Sequence, residues 1–329
     1  MKKNKKLIVL LIALVLLSSG CTKYLSDNDN KRITNEETGQ AITSNILCLP
    51  EDEDLLKIYQ ENKDSMAVDY DSLKPCSEYS PNNIAYAGLW ETIFIKPLAW
   101  IIIKLGIFIG NYGISVMLLG LIIRLILLPF TKKSLTQSES MKKIQPEIQA
   151  IQRKYENMQN QDQTTQMQMS QEIMAVYKKY GVNPAGGCVT AFIQLPILLA
   201  FYEAIQRVPA IFEETLLTLQ LGTSPLVGIK NGNYLYIAII ALIIVTTYFS
   251  FKNSMSMGGN DEQAKQMNMM MKVMLVFISI ASLSLPSALG LYWIVSNGFM
   301  IVQNFIIKKT MDNKRSTGRV KKSRVKKGK

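Results

Sequence analysis

The sequence contains no histidine, which removes a histidine general base, a serine–histidine triad and any histidine-ligated metal. Nor does it carry a Gly-x-x-x-x-Gly-Lys-Ser/Thr loop, so there is no recognisable nucleotide-driven motor. Charge is scarce as well. Charged residues make up 19% of the chain against 48% hydrophobic, and the apolar residues are gathered into long blocks. Such blocks belong to a polytopic membrane protein rather than to a soluble core. No enzymatic activity, cofactor, metal or small-molecule substrate is expected. The charge that is present lies unevenly: residues 22–88 hold 6 basic and 13 acidic side chains, whereas 308–329 hold 11 basic and a single acid, Asp312. Ends of opposite sign face different partners, on opposite sides of a membrane.

At the start, Lys2, Lys3, Lys5 and Lys6 precede an apolar run at 7–17 that is too short to span and reads as the core of a signal peptide. It ends in Leu17-Ser18-Ser19-Gly20-Cys21, which resembles the bacterial lipobox, although a leucine is usual where Ser18 stands. On this reading 1–20 is a lipoprotein signal peptide and Cys21 is the acylated new N-terminus, held on the outer face. The alternative is an ordinary cleaved signal with an incidental cysteine. Residues 21–88 then form an acidic extracytoplasmic segment, expected to be loosely structured apart from a short helix near 52–62. Cys48 and Cys76 lie on this oxidising side, where they either pair or remain two free thiols.

The run at 113–130 carries one charge, Arg124, in otherwise apolar surroundings. An arginine so placed costs ~2.5–3.5 kcal/mol on insertion scales and therefore faces protein or water. Spans are expected at 111–131, 185–207, 234–252, 267–285 and 288–307, the last two separated at Pro286. Residues 89–110 hold Trp90, Lys96, Pro97, Trp100 and Lys104, and read as an amphipathic helix on the outer interface. Between the first two spans, 132–184 is a cytoplasmic helical hairpin. Met141, Ile144, Ile148, Ile151, Tyr155 and Met158 recur at spacings of three and four, and Ile173, Val176, Tyr177 and Tyr180 continue the seam on its second helix. An external loop (208–233), a methionine-rich cytoplasmic loop (253–266) and a basic cytoplasmic tail (308–329) complete the chain. Five spans that begin outside leave the tail inside, in agreement with the 8 basic and 5 acidic residues of 132–179. The expected fold class is an all-α polytopic membrane protein: a five-helix transmembrane core, a cytoplasmic two-helix coiled-coil hairpin and an outer interfacial amphipathic helix.

Polar residues punctuate these spans. Gly113, Met117, Gly120 and Arg124 share one helical face, and Pro129 cannot donate to the carbonyl of Leu125. Thr190 and Gln194 face together, Thr246, Thr247 and Ser250 lie at the inner part of the third span, and Trp293, Ser296, Asn297, Met300 and Asn304 form a stripe on the fifth. Intramembrane polar residues commonly serve as interhelical glue, and for Gln194 and Asn297 glue and groove-lining are equally open. Arg124 either snorkels to the cytoplasmic interface or lines a hydrated cavity. Cys188 reads as a small buried residue, and Met267, Met269, Met270, Met271 and Met274 as either an adaptable client surface or lipid-facing filler. In the tail, Lys321, Lys322, Arg324, Lys326 and Lys327 suit anionic lipid or ribosomal RNA.

Several of these stretches, in order and at the expected spacing, resemble the YidC family of membrane protein insertases. They are LIIRLILLPF around Arg124, Ile144-Gln145-Pro146-Glu147-Ile148, IMAVYKKYGVNP at 173–184, Gly187-Cys188 followed by Gln194-Leu195-Pro196, and LYWIVSNGFMIVQ at 291–303. The lipoprotein start and five spans resemble the Gram-positive branch, in which an acidic segment as long as 22–88 is unusual. The resemblance implies a protein of the bacterial cell membrane that inserts and folds integral membrane proteins and some lipoproteins, alone or with the Sec translocon. It implies a hydrophilic groove open to lipid and cytoplasm, with Arg124, Gln194, Thr247, Ser250, Trp293 and Asn297 as candidate client contacts. Nascent membrane proteins and the lipid bilayer would be the partners, with the ribosome reached through the tail. The competing expectation is a small-solute or anion transporter or channel using Arg124 as counter-charge; it calls for an internal repeat, and none is found.

Overall fold

The computed structural model describes residues 22–327 apart from 28, 37, 84, 87, 159–161, 184–185 and 256–261, and the side chains of 186–193, 253–267 and 312–327 are also outside the description. Cys21 therefore lies outside the described residues, as do the side chains of Cys188, Thr190, Met267, Lys321, Lys322, Arg324, Lys326 and Lys327. The fold is mostly helical. Helix α1 (Glu53–Glu61) precedes α2 (Lys96–Ile109, entered through a π-helical turn at Glu91–Ile95), α3 (Tyr112–Glu156), α4 (Gln163–Lys179), α5 (Gly186–Gln206) and α6 (Pro209–Glu213). A two-stranded ribbon, β1 (Thr215–Leu216) with β2 (Leu219–Gln220), leads to α7 (Pro225–Lys230), α8 (Leu235–Met255), α9 (Glu262–Ser284) and α10 (Ser287–Lys327). Four of the described helices are long and apolar enough to cross a membrane, at Glu91–Ile109, Tyr112–Glu156, Leu235–Lys252 and Ser287–Met311, and Asn268–Ser284 is a shorter apolar helix.

The chain divides into two compact units, each containing parts of the long helices. The first takes the described residues up to Ile123 with Ala191–Val245 and Phe277–Ser296; the second takes Arg124–Thr190, Thr246–Val276 and the described residues from Asn297 onward.

In the first unit, residues 22–79 are ordered around a core of their own, against the expectation of a loose segment. Leu25, Ile42, Ile46, Tyr59 and Leu73 are buried together, and a Cys48–Cys76 disulfide closes the segment beside them. These apolar residues follow neither a helical nor a strand period, and isolated bridges such as Tyr24↔Thr43 and Leu49↔Pro75 link distant positions, so no local pattern announced the core. Helix α1 was legible: Asp52 caps it by accepting from the Leu55 amide, and Glu53 and Asp54 sit against the positive end of its dipole. This cap rests on the end of α5 and on α6. The Leu47 amide donates to the Arg207 carbonyl (2.8 Å), the Glu51 amide donates to Glu213 Oε1 (2.9 Å), and the Tyr24 and Tyr202 hydroxyls meet at 3.2 Å. Burial pushes the Glu213 carboxyl up, and the amides that it accepts, at Asp52 and Glu51, pull it back.

Helix α2 has one buried and one exposed face, as an amphipathic helix does. Lys96, Ala99, Ile102, Ile103 and Gly106 form its buried face, while Trp100, Lys104, Ile107 and Phe108 are exposed. Lys96 is not on a wet face, and by length and composition the helix also qualifies as a span. Gly110, in the left-handed region (φ 77°), ends it and starts the turn into α3. The Tyr112 ring then lies flat on Gly106, where an added Cβ would stand 2.2 Å from ring Cδ1. Gly106→Ala is expected to destabilise the protein by about 1–3 kcal/mol. Thermal unfolding of the detergent-solubilised chain checks this, with relief expected on adding Tyr112→Ala.

In the second unit the sequence boundary between span and hairpin disappears. Helix α3 is one 45-residue helix, roughly 68 Å at 1.5 Å per residue, and it contains both Pro129 and Pro146. Met141, Ile144 and Ile148 on α3 pack with Val176 and Tyr177 on α4, flanked by Ile151 and Ile173. Tyr155 is also buried, and its hydroxyl donates to Glu172 (2.9 Å). Two expected seam residues are displaced: Met158 is 40% and Tyr180 50% exposed. The cause for Tyr180 is the end of α4. Gly181 (φ 62°) reverses the chain, its amide donates to the Lys178 carbonyl and the Val182 amide to the Tyr177 carbonyl, the double bond of a Schellman cap. Val182 thereby folds back onto Tyr177 and takes the seam position, and Tyr180 is turned outward. Lys154–Glu172 (2.7 Å) and Lys179–Glu147 (2.8 Å) bridge the two helices; Lys179 holds the Glu147 carboxyl below its ordinary range, with the Tyr180 hydroxyl assisting. Exposed as they are, these pairs contribute more to register than to stability.

Candidate functional site

Arg124 begins the second unit and is buried at 5% exposure, so it is not held in open solvent by its length. Its Nη1 approaches the sulfur of Met300 at 4.0 Å, which fixes the guanidinium beside α10. Around it the same unit gathers polar side chains from three helices. Asn297 Nδ2 donates to Thr247 Oγ1 (2.9 Å), both buried, and joins α10 to α8. Ser250, one turn further along α8, is fully buried, and its Oγ has no hydrogen-bond partner among the described residues. Gln303 Nε2 donates to Thr131 Oγ1 (2.7 Å), and that hydroxyl can itself turn to the Leu127 and Leu128 carbonyls. Thr131 thus serves as a polar link between α3 and α10 near Pro129. Sequence reasoning did not single out this pair, although a threonine two residues after a helix-interior proline is a visible signal.

The remaining candidates, Gln194 and Trp293, lie in the first unit. Gln194 Nε2 reaches the Tyr292 hydroxyl at 3.4 Å, and the Tyr292 ring stacks on Phe201 with centroids 4.2 Å apart. Trp293 is half-buried on the neighbouring position. Gly113 and Gly120, on the same helical face as Arg124 in the sequence, are packing sites. A Cβ on Gly120 would come 2.9 Å from the Tyr292 ring, and one on Gly113 within 3.2–3.3 Å of Leu216 and Leu221. The absence of side-chain bulk there admits a close neighbour instead of opening space.

A second polar cluster, not anticipated as a unit, also belongs to the first unit. Arg207 Nη1 bonds Glu91 Oε2 at 2.5 Å and its Nη2 bonds Glu203 Oε2 at 2.9 Å. Lys96 Nζ stands 3.9 Å from Glu91 Oε1 and donates to the Ala85 carbonyl at 2.9 Å. Two acids and two bases therefore cancel in a buried setting, Arg207 being 1% exposed. The i,i+4 spacing of Glu203 and Arg207 was legible in the sequence; their meeting with Glu91, more than a hundred residues away, was not. Among the described residues no group of histidine, cysteine, aspartate or glutamate could hold a metal ion.

A family model described as "60Kd inner membrane protein" matches residues 104–314. The chain is 35% identical over 226 residues to a "Membrane protein insertase YidC" of Oceanobacillus iheyensis, covering 68% of this chain and 85% of that one. It is 40% identical over 220 residues to "Membrane protein insertase MisCA" of Bacillus subtilis, covering 67% and 79% respectively. A crystal structure described as an active YidC insertase, with its first transmembrane domain resolved, is 25% identical with a TM-score of 0.48. That likeness covers 65% of this chain and 46% of the solved chain, so this chain spans less than half of its length.

Proposed function

Because this chain belongs to the YidC family of membrane protein insertases, we propose that it inserts and folds integral membrane proteins, and some lipoproteins, without making or breaking a covalent bond. The observation that carries the reading is the 35–40% identity with named insertases over two thirds of the chain, beside a family match at 104–314 that takes in every long apolar helix except Glu91–Ile109 in part. The transporter reading is not favoured by these relatives.

Moving a polar segment through hydrocarbon is costly because its backbone and charged groups find no partners there. A buried cation at membrane depth reduces that cost for an acidic or polar client segment, and a client's apolar helix then partitions into lipid. Arg124 is the proposed attractor, with Ser250 of the same unit as a buried hydroxyl whose bonding capacity is left over. Thr247 and Asn297 satisfy one another, so their proposed share is to hold α8 and α10 in place around it. Gln194 and Trp293 are proposed as client contacts of the first unit. The exposed methionines of α9, Met269, Met270 and Met274, supply an adaptable apolar surface suited to varied clients.

The proposed topology has the lipid-anchored Cys21 and the acidic cap outside, the α3–α4 hairpin and basic tail in the cytoplasm, and α2 at the outer interface. The asymmetry of charge supports it: basic residues concentrate in 308–329 and acidic ones in 22–88. The tail is proposed to meet the ribosome or anionic lipid, and the Sec translocon is the proposed partner for larger clients.

The test is complementation of an insertase-depleted bacterium. Arg124→Ala is expected to fail to restore growth and Arg124→Lys to restore it in large part. Equal growth with all variants overturns the role given to the charge.

A further inference from the structure

At the foot of the hairpin, within the second unit, Pro129, Lys132, Lys133, Thr136, Gln137, Ser140, Tyr180, Gly181 and Val182 surround an open cavity of about 440 Å³. We propose that this cavity holds the phosphate headgroup of an anionic phospholipid from the leaflet that borders the hairpin. Its volume lies within the range of small-molecule sites. Its charge is of one sign: both lysines line it, and among the described residues neither forms an ion pair. The acid nearest in the chain to this wall, Glu139, is taken by Lys142 at 2.9 Å, and Glu147 by Lys179 and the Tyr180 hydroxyl.

Depth selects a lipid as the source of the phosphate. The apolar run ends at Phe130, so Lys132 and Lys133 stand at headgroup level by their place in the chain. Ile126, Phe130 and Lys133 recur at i, i+4 and i+7 on one face of α3. The first two are exposed at 67% and 64%, as a surface covered by acyl chains would be. Pro129, Lys133, Thr136 and Ser140 continue at helical spacing up the cavity wall. The opposite wall exists because of the Schellman turn at Gly181, which puts Tyr180 and Val182 into the lining of the cavity. Thr136 and Ser140 donate their hydroxyls to the Lys132 and Thr136 carbonyls, at 2.9 and 3.0 Å. The lysines are therefore the groups left to meet an anion.

The proposal takes only the identity of the leaflet from the topology given above. Single-cysteine labelling at Lys133→Cys in right-side-out and inverted vesicles reports that leaflet independently. For binding, the full chain in detergent is titrated with phosphatidylglycerol or phosphatidylcholine and the adducts are counted by native mass spectrometry. Phosphatidylglycerol is expected to bind preferentially, and Lys132→Gln with Lys133→Gln to weaken it by about tenfold or more. The control pair Lys63→Gln with Lys74→Gln makes the same charge change on the exposed surface of the cap and is expected to leave the adduct largely unchanged. Equal losses with both pairs would mean general attraction to a basic protein and overturn the site. Equal binding of the two lipids overturns it as well. Displacement by millimolar inorganic phosphate without any lipid preference would assign the cavity to free phosphate and likewise reject the proposal.

Discussion

Arg207→Ala is expected to destabilise the protein by about 3–5 kcal/mol, the usual consequence of removing one partner from a buried ion pair. The effect is large because the guanidinium holds two carboxylates at once. Without it, Glu91 and Glu203 lose the cation that they share in a site where Arg207 had been 1% exposed, and Lys96 stands 3.9 Å from Glu91. Glu203→Gln in the same chain should recover part of the loss by removing the charge left without a partner. Arg207→Lys should recover less, since one ammonium cannot reproduce a fork that spans two acids. Thermal unfolding of the detergent-solubilised wild-type chain, Arg207→Ala, Glu203→Gln and the double variant forms a double-mutant cycle, and additive losses would show that the two residues are not coupled. The Arg207 carbonyl also accepts the Leu47 amide of the cap. Alanine keeps that carbonyl, so faster amide exchange in the cap is expected only as far as the backbone at 207 shifts.

The second large effect concerns the Cys48–Cys76 disulfide. Its ends are 28 positions apart, a closed loop for which chain-entropy arguments give about 3–4 kcal/mol. A core as small as that of the cap gains little from apolar burial alone, so a covalent link of this size decides whether it stays folded. Cys48→Ser or full reduction is expected to expose 22–79 to protease while the fragments containing α3, α8 and α10 persist. A cleavage rate indifferent to reduction would show that the cap is held by its contacts with α5 and α6 alone.

Some of this was legible locally. The seam Met141, Ile144, Ile148 on α3 and Val176, Tyr177 on α4 follows from spacing, because a helix shows every third and fourth residue on one side. The cap of α1 at Asp52 and the break at Pro286 between α9 and α10 are equally local. The single helix from Tyr112 to Glu156 was not legible, since a change from apolar to polar composition marks a change of solvent and leaves the backbone hydrogen bonds as they were. Gly113 and Gly120 show the same limit at a candidate site. A missing side chain reads as space in sequence, and only the neighbour that fills it, Tyr292 or the pair Leu216 and Leu221, reveals it as a contact.

By itself the sequence carried the membrane-spanning character, the uneven distribution of charge, the helical seam at 141–148 and 176–177, and a single cation, Arg124, within an apolar run. Those are properties of hydropathy, period and charge, which adjacent residues carry among themselves. The tertiary structure alone decided that Cys48 meets Cys76, that Glu91 joins Glu203 and Arg207, that Asn297 donates to Thr247, and that Tyr180 leaves the seam and lines one cavity with Lys132 and Lys133. Each depends on side chains brought together from distant parts of the chain or on one left-handed glycine. Burial gives such meetings their strength, and no local pattern encodes it.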